Sequence, residues 1–253
     1  MRYLLSRFTP KALRSPVYKA LYSRLKDDYS LSSESFRDLR ILILGPAKTA
    51  FNDLRKIDAS QYDIVVRMNN GISIDFPLRN ASKRRCEVLF HPLTDDLDPL
   101  DASSINVSGA RILVHRTPKR SAFLSTLLAE RRFAGVAEVK IIPVEKYDIL
   151  SADLEGYSPS TGLICASFFL DSPAKEVAIV GFTFFTTAYV EGYDPSVTSD
   201  EAAAAKVRRA DHHNPEAEAL HFDKAISIAA AAGKIVTLGE SVQEAINAVK
   251  QRG

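Results

Sequence analysis

Arg40-Ile41-Leu42-Ile43-Leu44-Gly45-Pro46-Ala47-Lys48-Thr49 is an apolar run closed by a glycine-proline turn. Its aliphatic residues follow one another without the alternation of a half-exposed strand, which suits a strand buried on both faces of a helix-covered sheet. Runs of similar character recur at Asp63–Met68, Cys86–His91, Arg111–His115, Val139–Pro143, Glu176–Phe182 and Lys234–Leu238, giving seven candidate strands with Arg40–Leu44. Between them, Lys119–Arg132, Gly162–Leu170, Glu216–Ala232 and Glu240–Lys250 read as helices, the third stopped by Gly233 at its C′ position. This alternation predicts a single α/β, Rossmann-like domain with a mainly parallel seven-stranded sheet flanked by helices. Glu191–Lys206, with Tyr193-Asp194-Pro195 and then Ser196, Thr198, Ser199 and Asp200, reads as a long mobile loop of the kind that forms a lid.

The composition agrees with that fold class. At 253 residues, 46% hydrophobic and 25% charged, the chain is not disordered, collagen-like or a disulfide scaffold. A formal net charge of +2 gives no argument for nucleic-acid binding. The average hides an asymmetry: residues 1–26 carry seven basic residues and no acidic one, leaving 26 basic and 31 acidic residues, −5, for the rest. The sequence therefore divides into a basic arm, residues 1–30, and a body, residues 31–253. In the arm Leu13, Val17, Leu21 and Leu25 recur four apart with Tyr18 and Tyr22 alongside, an amphipathic basic helix. An anionic membrane surface suits it, and so does packing on its own domain or on a second subunit.

Cys86 and Cys165 have no cysteine neighbours or metal-ligand spacing and are expected to be reduced thiols. No apolar run approaches a membrane span, and Arg7, Pro10 and Arg14 interrupt any signal-peptide core. The expectation is a cytoplasmic protein, peripheral on the inner membrane if the arm binds there. Oligomeric state has no signature in the sequence.

In an open α/β sheet the ligand lies beyond the carboxyl ends of the strands. After Arg40–Leu44, Gly45 permits close backbone approach, and Lys48 and Thr49 suit a phosphate, although the spacing is neither a Walker loop nor G-x-G-x-x-G and a tight turn reads equally well. Arg67-Met68-Asn69-Asn70-Gly71 puts polar groups at a strand end, where Asn-Gly is also an ordinary turn pair. Ser158-Pro159-Ser160-Thr161-Gly162 opens an apolar helix whose free N–H groups suit an anion, or form a plain N-cap. In Asp211-His212-His213-Asn214-Pro215-Glu216-Ala217-Glu218, Pro215 marks another helix start, so His213 meets the positive dipole end and is favoured as a neutral base, with Glu218 a turn further on. Surface capping is the plainer reading. No zinc-type spacing occurs, and Asp95, Asp96 and Asp98 read as a polar loop rather than a cation site.

Taken in order, these segments resemble the motifs of the sialyltransferases of glycosyltransferase family 29. Ile41–Gly45 and Asp63-Ile64-Val65-Val66-Arg67-Met68-Asn69 look like the large motif. Pro159-Ser160-Thr161-Gly162, Glu176-Val177 and Gly181-Phe182 look like the small one, Gly192-Tyr193-Asp194 like the third, and His213 through Glu218 like His-x-x-x-x-Glu. The chain departs from the family at Pro46, where the family has Asn, and at Val190-Glu191, where it has the third-motif His. The positions of the motif cysteines that pair in the animal enzymes fall on Ile41 and Ala174.

The resemblance implies a GT-A-variant glycosyltransferase that moves sialic acid or Kdo from a CMP-sugar donor to a hydroxyl of a cell-surface or lipid-linked glycan acceptor, with inversion and without a metal. It implies His213 as the base with Glu218 orienting its ring or stabilising the positive charge that develops on it, and Gly45, Asn69, Ser160, Thr161, Gly162, Tyr193 and His212 around the donor. Two other readings fit the same residues: a different nucleotide-dependent transferase on this sheet, and a non-catalytic membrane-associated binding protein.

Overall fold

The computed structural model describes residues 10–94, 99–116, 119–210 and 212–252. Seven strands form one sheet: β1 Arg40–Leu44, β2 Ile64–Met68, β3 Val88–His91, β4 Ile112–Arg116, β5 Glu138–Ile142, β6 Glu176–Val180 and β7 Ile235–Leu238. All pairings between neighbouring strands are parallel, in the order β5-β4-β3-β2-β1-β6-β7. The helices are α1 Lys11–Tyr29, α2 Ala50–Asp53, α3 Ala102–Ser108, α4 Phe123–Arg132, α5 Val144–Asp153, α6 Thr161–Asp171, α7 Asp200–Ala210, α8 Pro215–Ala231 and α9 Glu240–Lys250.

The unbroken apolar run of β1 serves two cores. Ile41 and Ile43 join the layer that contains Leu163 and Phe169 of α6, Phe222 of α8 and Ile246 of α9. Leu42 and Leu44 join the opposite layer, with Ala50, Leu54 and Tyr62. All four side chains are at most 2% exposed, each burial contributing about 2 kcal/mol, which a strand with one wet face could not collect.

Two sequence expectations are corrected. The covered part of α1 is Tyr18, Tyr22, Leu25 and Tyr29, so the tyrosines set alongside the leucine row carry the packing, and Leu13 at its start stays 54% exposed. Tyr22, Leu25 and Tyr29 pack with Phe123, Leu127, Ile141 and Val144, so the body itself covers this stripe. The tyrosines win because they bring hydroxyls as well as area: the Tyr22 hydroxyl donates to Glu145 and accepts from the Val144 N–H, and Tyr29 donates to Glu130. Second, the expected loop Glu191–Lys206 becomes helix α7 from Asp200 onward. Four alanines at 202–205, Asp200 and Glu201 at the positive end and Arg208 and Arg209 at the negative end outweigh the Ser/Thr/Asp cluster before them. Asp95, Asp96, Asp98, Asp211 and residues 1–9 of the arm lie outside the described residues.

The strand order reverses between β1 and β6, and a crevice opens above their carboxyl ends. Backbones meet closely there. A Cβ on Gly45 would lie 2.2 Å from the Gly181 carbonyl oxygen, and one on Gly181, at φ +69°, would lie 2.7 Å from the Ala50 Cβ. Buried Asp53 secures the junction by accepting from the Gly181 N–H at 3.3 Å and from the Ser241 N–H and hydroxyl at the start of α9.

Candidate active site

A cleft of about 600 Å³ occupies this crevice. Of the residues singled out in the sequence, Asn69, Ser160, Thr161, Gly162, Tyr193, His212, His213 and Glu218 line it. Gly45 does not: Pro46 and Ala47 take the wall, and Gly45 is needed beneath them for its contact with Gly181. Gly162 is also spoken for sterically, since a Cβ there would lie 2.9 Å from the Phe182 ring.

The segments at 158–160 and 212–218 are stitched together. The Ser158 N–H donates to the His212 carbonyl at 2.8 Å, and His213 Nδ1 lies 2.6 Å from the Ser158 carbonyl. Glu218 accepts from the Ser160 N–H through Oε1 at 2.8 Å and from the Ser160 hydroxyl through Oε2 at 2.6 Å. The Ser160 Oγ in turn caps α6 by accepting from the Leu163 N–H at 3.1 Å. Ser160 is thus a tether, with its N–H and hydroxyl occupied, and the N–H groups of Thr161 and Gly162 are the ones that the first turn of α6 leaves without a helical carbonyl.

A carbonyl can only accept, so its contact places the hydrogen of His213 on Nδ1 and the lone pair on Nε2. Burial, with Arg116 and His212 nearby, lowers the His213 pKa to about 4, so the ring is neutral at physiological pH. Of the two roles expected for Glu218, orienting the ring falls to the Ser158 carbonyl, which accepts from Nδ1, and Glu218 Oε1, 3.7 Å from Nδ1, is within range of a charge on the ring. Glu218, 2% exposed, is pushed up to about 7 by burial, against the opposing effect of its two bonds from Ser160. The His213 ring stacks on Phe185, with centroids 5.7 Å apart and planes 15° apart, and the exposed His212 ring lies 4.7 Å away with its Nδ1 at the Ala210 carbonyl.

On the facing wall Asn69 adopts φ +51° and donates through Nδ2 to the Tyr193 hydroxyl at 3.1 Å. Its Oδ1 is buried and has no hydrogen-bond partner among the described residues. Asn70 donates to the Tyr193 carbonyl, and burial raises the Tyr193 pKa, so its phenol keeps its proton. Tyr193 is thereby built into the wall rather than carried on a detached flap. Arg67 stands behind as a brace: fully buried, it donates to the carbonyls of Gly71, Ile74, Lys83 and Arg85. Lys206 of α7 pairs with Asp194 across the cleft rim.

Sequence reasoning missed Arg116. It ends β4, lines the cleft, donates to the Pro159 carbonyl at 3.0 Å, and acts electrostatically on both His213 and Glu218. Its one signal was its place at a strand's carboxyl end. Among the described residues no three His, Cys, Asp or Glu side chains gather as a metal cluster. Cys86 and Cys165 are both free and buried.

No protein-family model matches the sequence, and no curated protein does. Solved structures do. The chain is similar to a mammalian sialyltransferase in complex with Gal-beta-1-3GalNAc-ortho-nitrophenol, at 12% identity and TM-score 0.52, over 94% of this chain and 83% of that one. It is also similar to a variant of the sialyltransferase CstII of Campylobacter jejuni in complex with CMP, at 12% identity and TM-score 0.50, over 79% and 81%. The fold is that of these sialyltransferases: a seven-stranded parallel sheet flanked by helices.

Proposed function

We propose that this chain is an inverting glycosyltransferase that moves a keto-sugar acid, sialic acid or Kdo, from a CMP-sugar to a hydroxyl of a glycan. The observation that carries the reading is His213, a neutral imidazole whose Nδ1–H is held by the Ser158 carbonyl at the cleft, beside the start of α6. In this reading Nε2 takes the proton of the acceptor hydroxyl as its oxygen bonds to the anomeric carbon. The bond from that carbon to the phosphate oxygen breaks on the opposite face, and CMP leaves with the electron pair. Arg116 and the N–H groups of Thr161 and Gly162 supply positive potential for the sugar carboxylate and the phosphate. Tyr193 offers a further donor hydroxyl and Asn69 Oδ1 an acceptor for the nucleotide, while His212, whose Nδ1 faces the Ala210 carbonyl, donates from Nε2 only as an imidazolium. The structures of similar fold hold CMP in one case and a disaccharide derivative in the other.

No step in this scheme draws on a metal. The proposed acceptor is lipid-linked or on the cell surface and is reached from the cytoplasmic side. Support for contact with an anionic membrane comes from the +7 charge of residues 1–26 and from Lys19 and Arg24, exposed on α1.

One assay tests these points. CMP release is measured from CMP-sialic acid and from CMP-Kdo with glycan acceptors, with and without EDTA and with and without vesicles containing anionic lipid. Turnover with one donor is expected, insensitive to EDTA, raised by the vesicles, and reduced at least ~100-fold by His213→Ala. Full activity of His213→Ala would remove the base assignment, loss with EDTA the metal independence, and indifference to vesicles the membrane contact.

A further inference from the structure

We propose that Phe185 is the positioning residue of the His213 base: its ring, stacked on the imidazole, fixes the plane in which His213 receives the acceptor proton. The inference rests on the reading of His213 as the base. The hydrogen bond from Nδ1 to the Ser158 carbonyl fixes one edge of the imidazole, and the broad angular range of a carbonyl acceptor leaves the tilt of the ring loosely set. The flat face of Phe185, 15° from parallel with ring centres 5.7 Å apart, supplies the second constraint. The imidazole is 17% exposed, and the apolar ring beside it adds to the burial that lowers its pKa.

The backbone gives the independent observation. Phe184 and Phe185 are consecutive residues at φ +48° and +61°, in the left-handed region where bulky side chains are outliers and glycine sits freely. The turn is held there by its own hydrogen bonds and by one contact with α8. Thr183 and Thr187 share a hydrogen bond at 2.7 Å, the Thr186 hydroxyl and N–H both donate to the Thr183 carbonyl, and the Phe184 ring packs edge-on to Phe222 at 5.4 Å. The turn thus keeps a conformation that opposes a phenylalanine backbone, and what position 185 gains in return is the ring on His213.

The charged and titratable groups that face His213 are Glu218 of α8, Arg116 at the end of β4 and the adjacent His212. Replacing Phe185 alters none of them, so a change in the titration of His213 reports on the stacked ring.

The experiment uses the full chain with Phe185→Gly and Phe185→Tyr, following the His213 imidazole by NMR titration alongside kcat, KM and thermal melting. Phe185→Gly is expected to melt no lower than wild type, because glycine suits the turn. Its His213 pKa is expected to move from about 4 up toward 6.5, and its kcat to fall roughly tenfold to a hundredfold with donor KM little changed. The acid limb of its pH profile should move upward with the titration, and Phe185→Tyr should restore both. An unmoved His213 titration in Phe185→Gly, or a tyrosine variant that fails to restore it, overturns the proposal. If Phe185→Gly does not fold, Phe185→Leu, which keeps bulk without a flat face, is titrated in its place: an upward shift supports the proposal and an unmoved pKa overturns it. A wild-type chain without turnover on any CMP-sugar would defeat the functional reading instead, and the titration would still decide the role of the ring.

Discussion

Arg67 and the His213–Glu218 pair are both ionisable and both withdrawn from water, yet they are finished differently. The guanidinium of Arg67 lies over the Phe76 ring and gives its hydrogens to four backbone carbonyls. Burial lowers its pKa to about 10, which leaves it a cation throughout the physiological range. The cleft pair keeps capacity in hand. His213 has one nitrogen engaged and one carrying a lone pair, and Glu218 ionises near 7. Burial with the donors satisfied makes a brace, whereas burial that displaces a pKa and leaves an atom available is the state the proposed base requires.

The largest effect expected from this contrast is on stability. Arg67→Ala would leave the carbonyls of Gly71, Ile74, Lys83 and Arg85 buried without their donor, at a cost on the order of 4 kcal/mol in urea denaturation. A loss below about 1 kcal/mol would mean that water replaces the side chain and that Arg67 is no brace.

Next comes the pH dependence of the pair. Glu218 holds its proton to about 7 in the folded chain against 4.5 unfolded, so it favours the fold below pH 4.5 and that contribution is lost as pH rises to 7. His213 titrates near 4 folded against 6.5 unfolded, so its contribution is present above 6.5 and is lost as pH falls to 4. Each is worth about 3 kcal/mol and the two have opposite sign, so they nearly cancel in the overlap of their windows. Glu218→Gln should uncover a stability that climbs with pH between 4 and 6.5, and His213→Asn one that falls between 4.5 and 7. Denaturation at stepped pH reads both, and slopes of the same sign in the two variants would break the account.

The smallest effect is at Asn69. Glycine accepts its φ of +51°, so Asn69→Gly should change stability by less than about 1 kcal/mol. It removes the buried Oδ1 and the bond to Tyr193, so donor KM should rise several-fold. A KM equal to that of wild type would take Asn69 out of the donor site.

These contrasts also mark how far the sequence could be read. The sheet was plain in it because strands buried on both faces show as unbroken apolar runs, and their ends moved by at most two residues. Helix α7 was hidden because Ser196, Thr198 and Ser199 look like a loop until the four alanines after them are weighed as helix formers. That the tyrosines rather than the leucines anchor α1 was not legible, because the partners of the Tyr22 hydroxyl, Val144 and Glu145, are more than 120 residues away. The cleft residues were found singly, through motifs and strand ends. The bonds that unite Ser158 and Ser160 with His213 and Glu218 span 55 and 58 positions, and Arg116 reaches Pro159 across 43. No periodicity records contacts at that range, so a strand-ending arginine looks like any other until the chain is folded.

The strand order carries a consequence in time. β1 is flanked by β2, which follows it closely, and by β6, whose first residue Glu176 meets Arg40 from 136 positions further along. Closing so long a stretch of chain is slow. The half of the sheet from β1 to β5 can therefore assemble, and can emerge from the ribosome, before the crevice has its second wall. Gly181, the start of α8 and His213 arrive only with the late half of the chain, so the proposed proton acceptor is installed among the last parts of the molecule, and a chain interrupted before β6 is left without it.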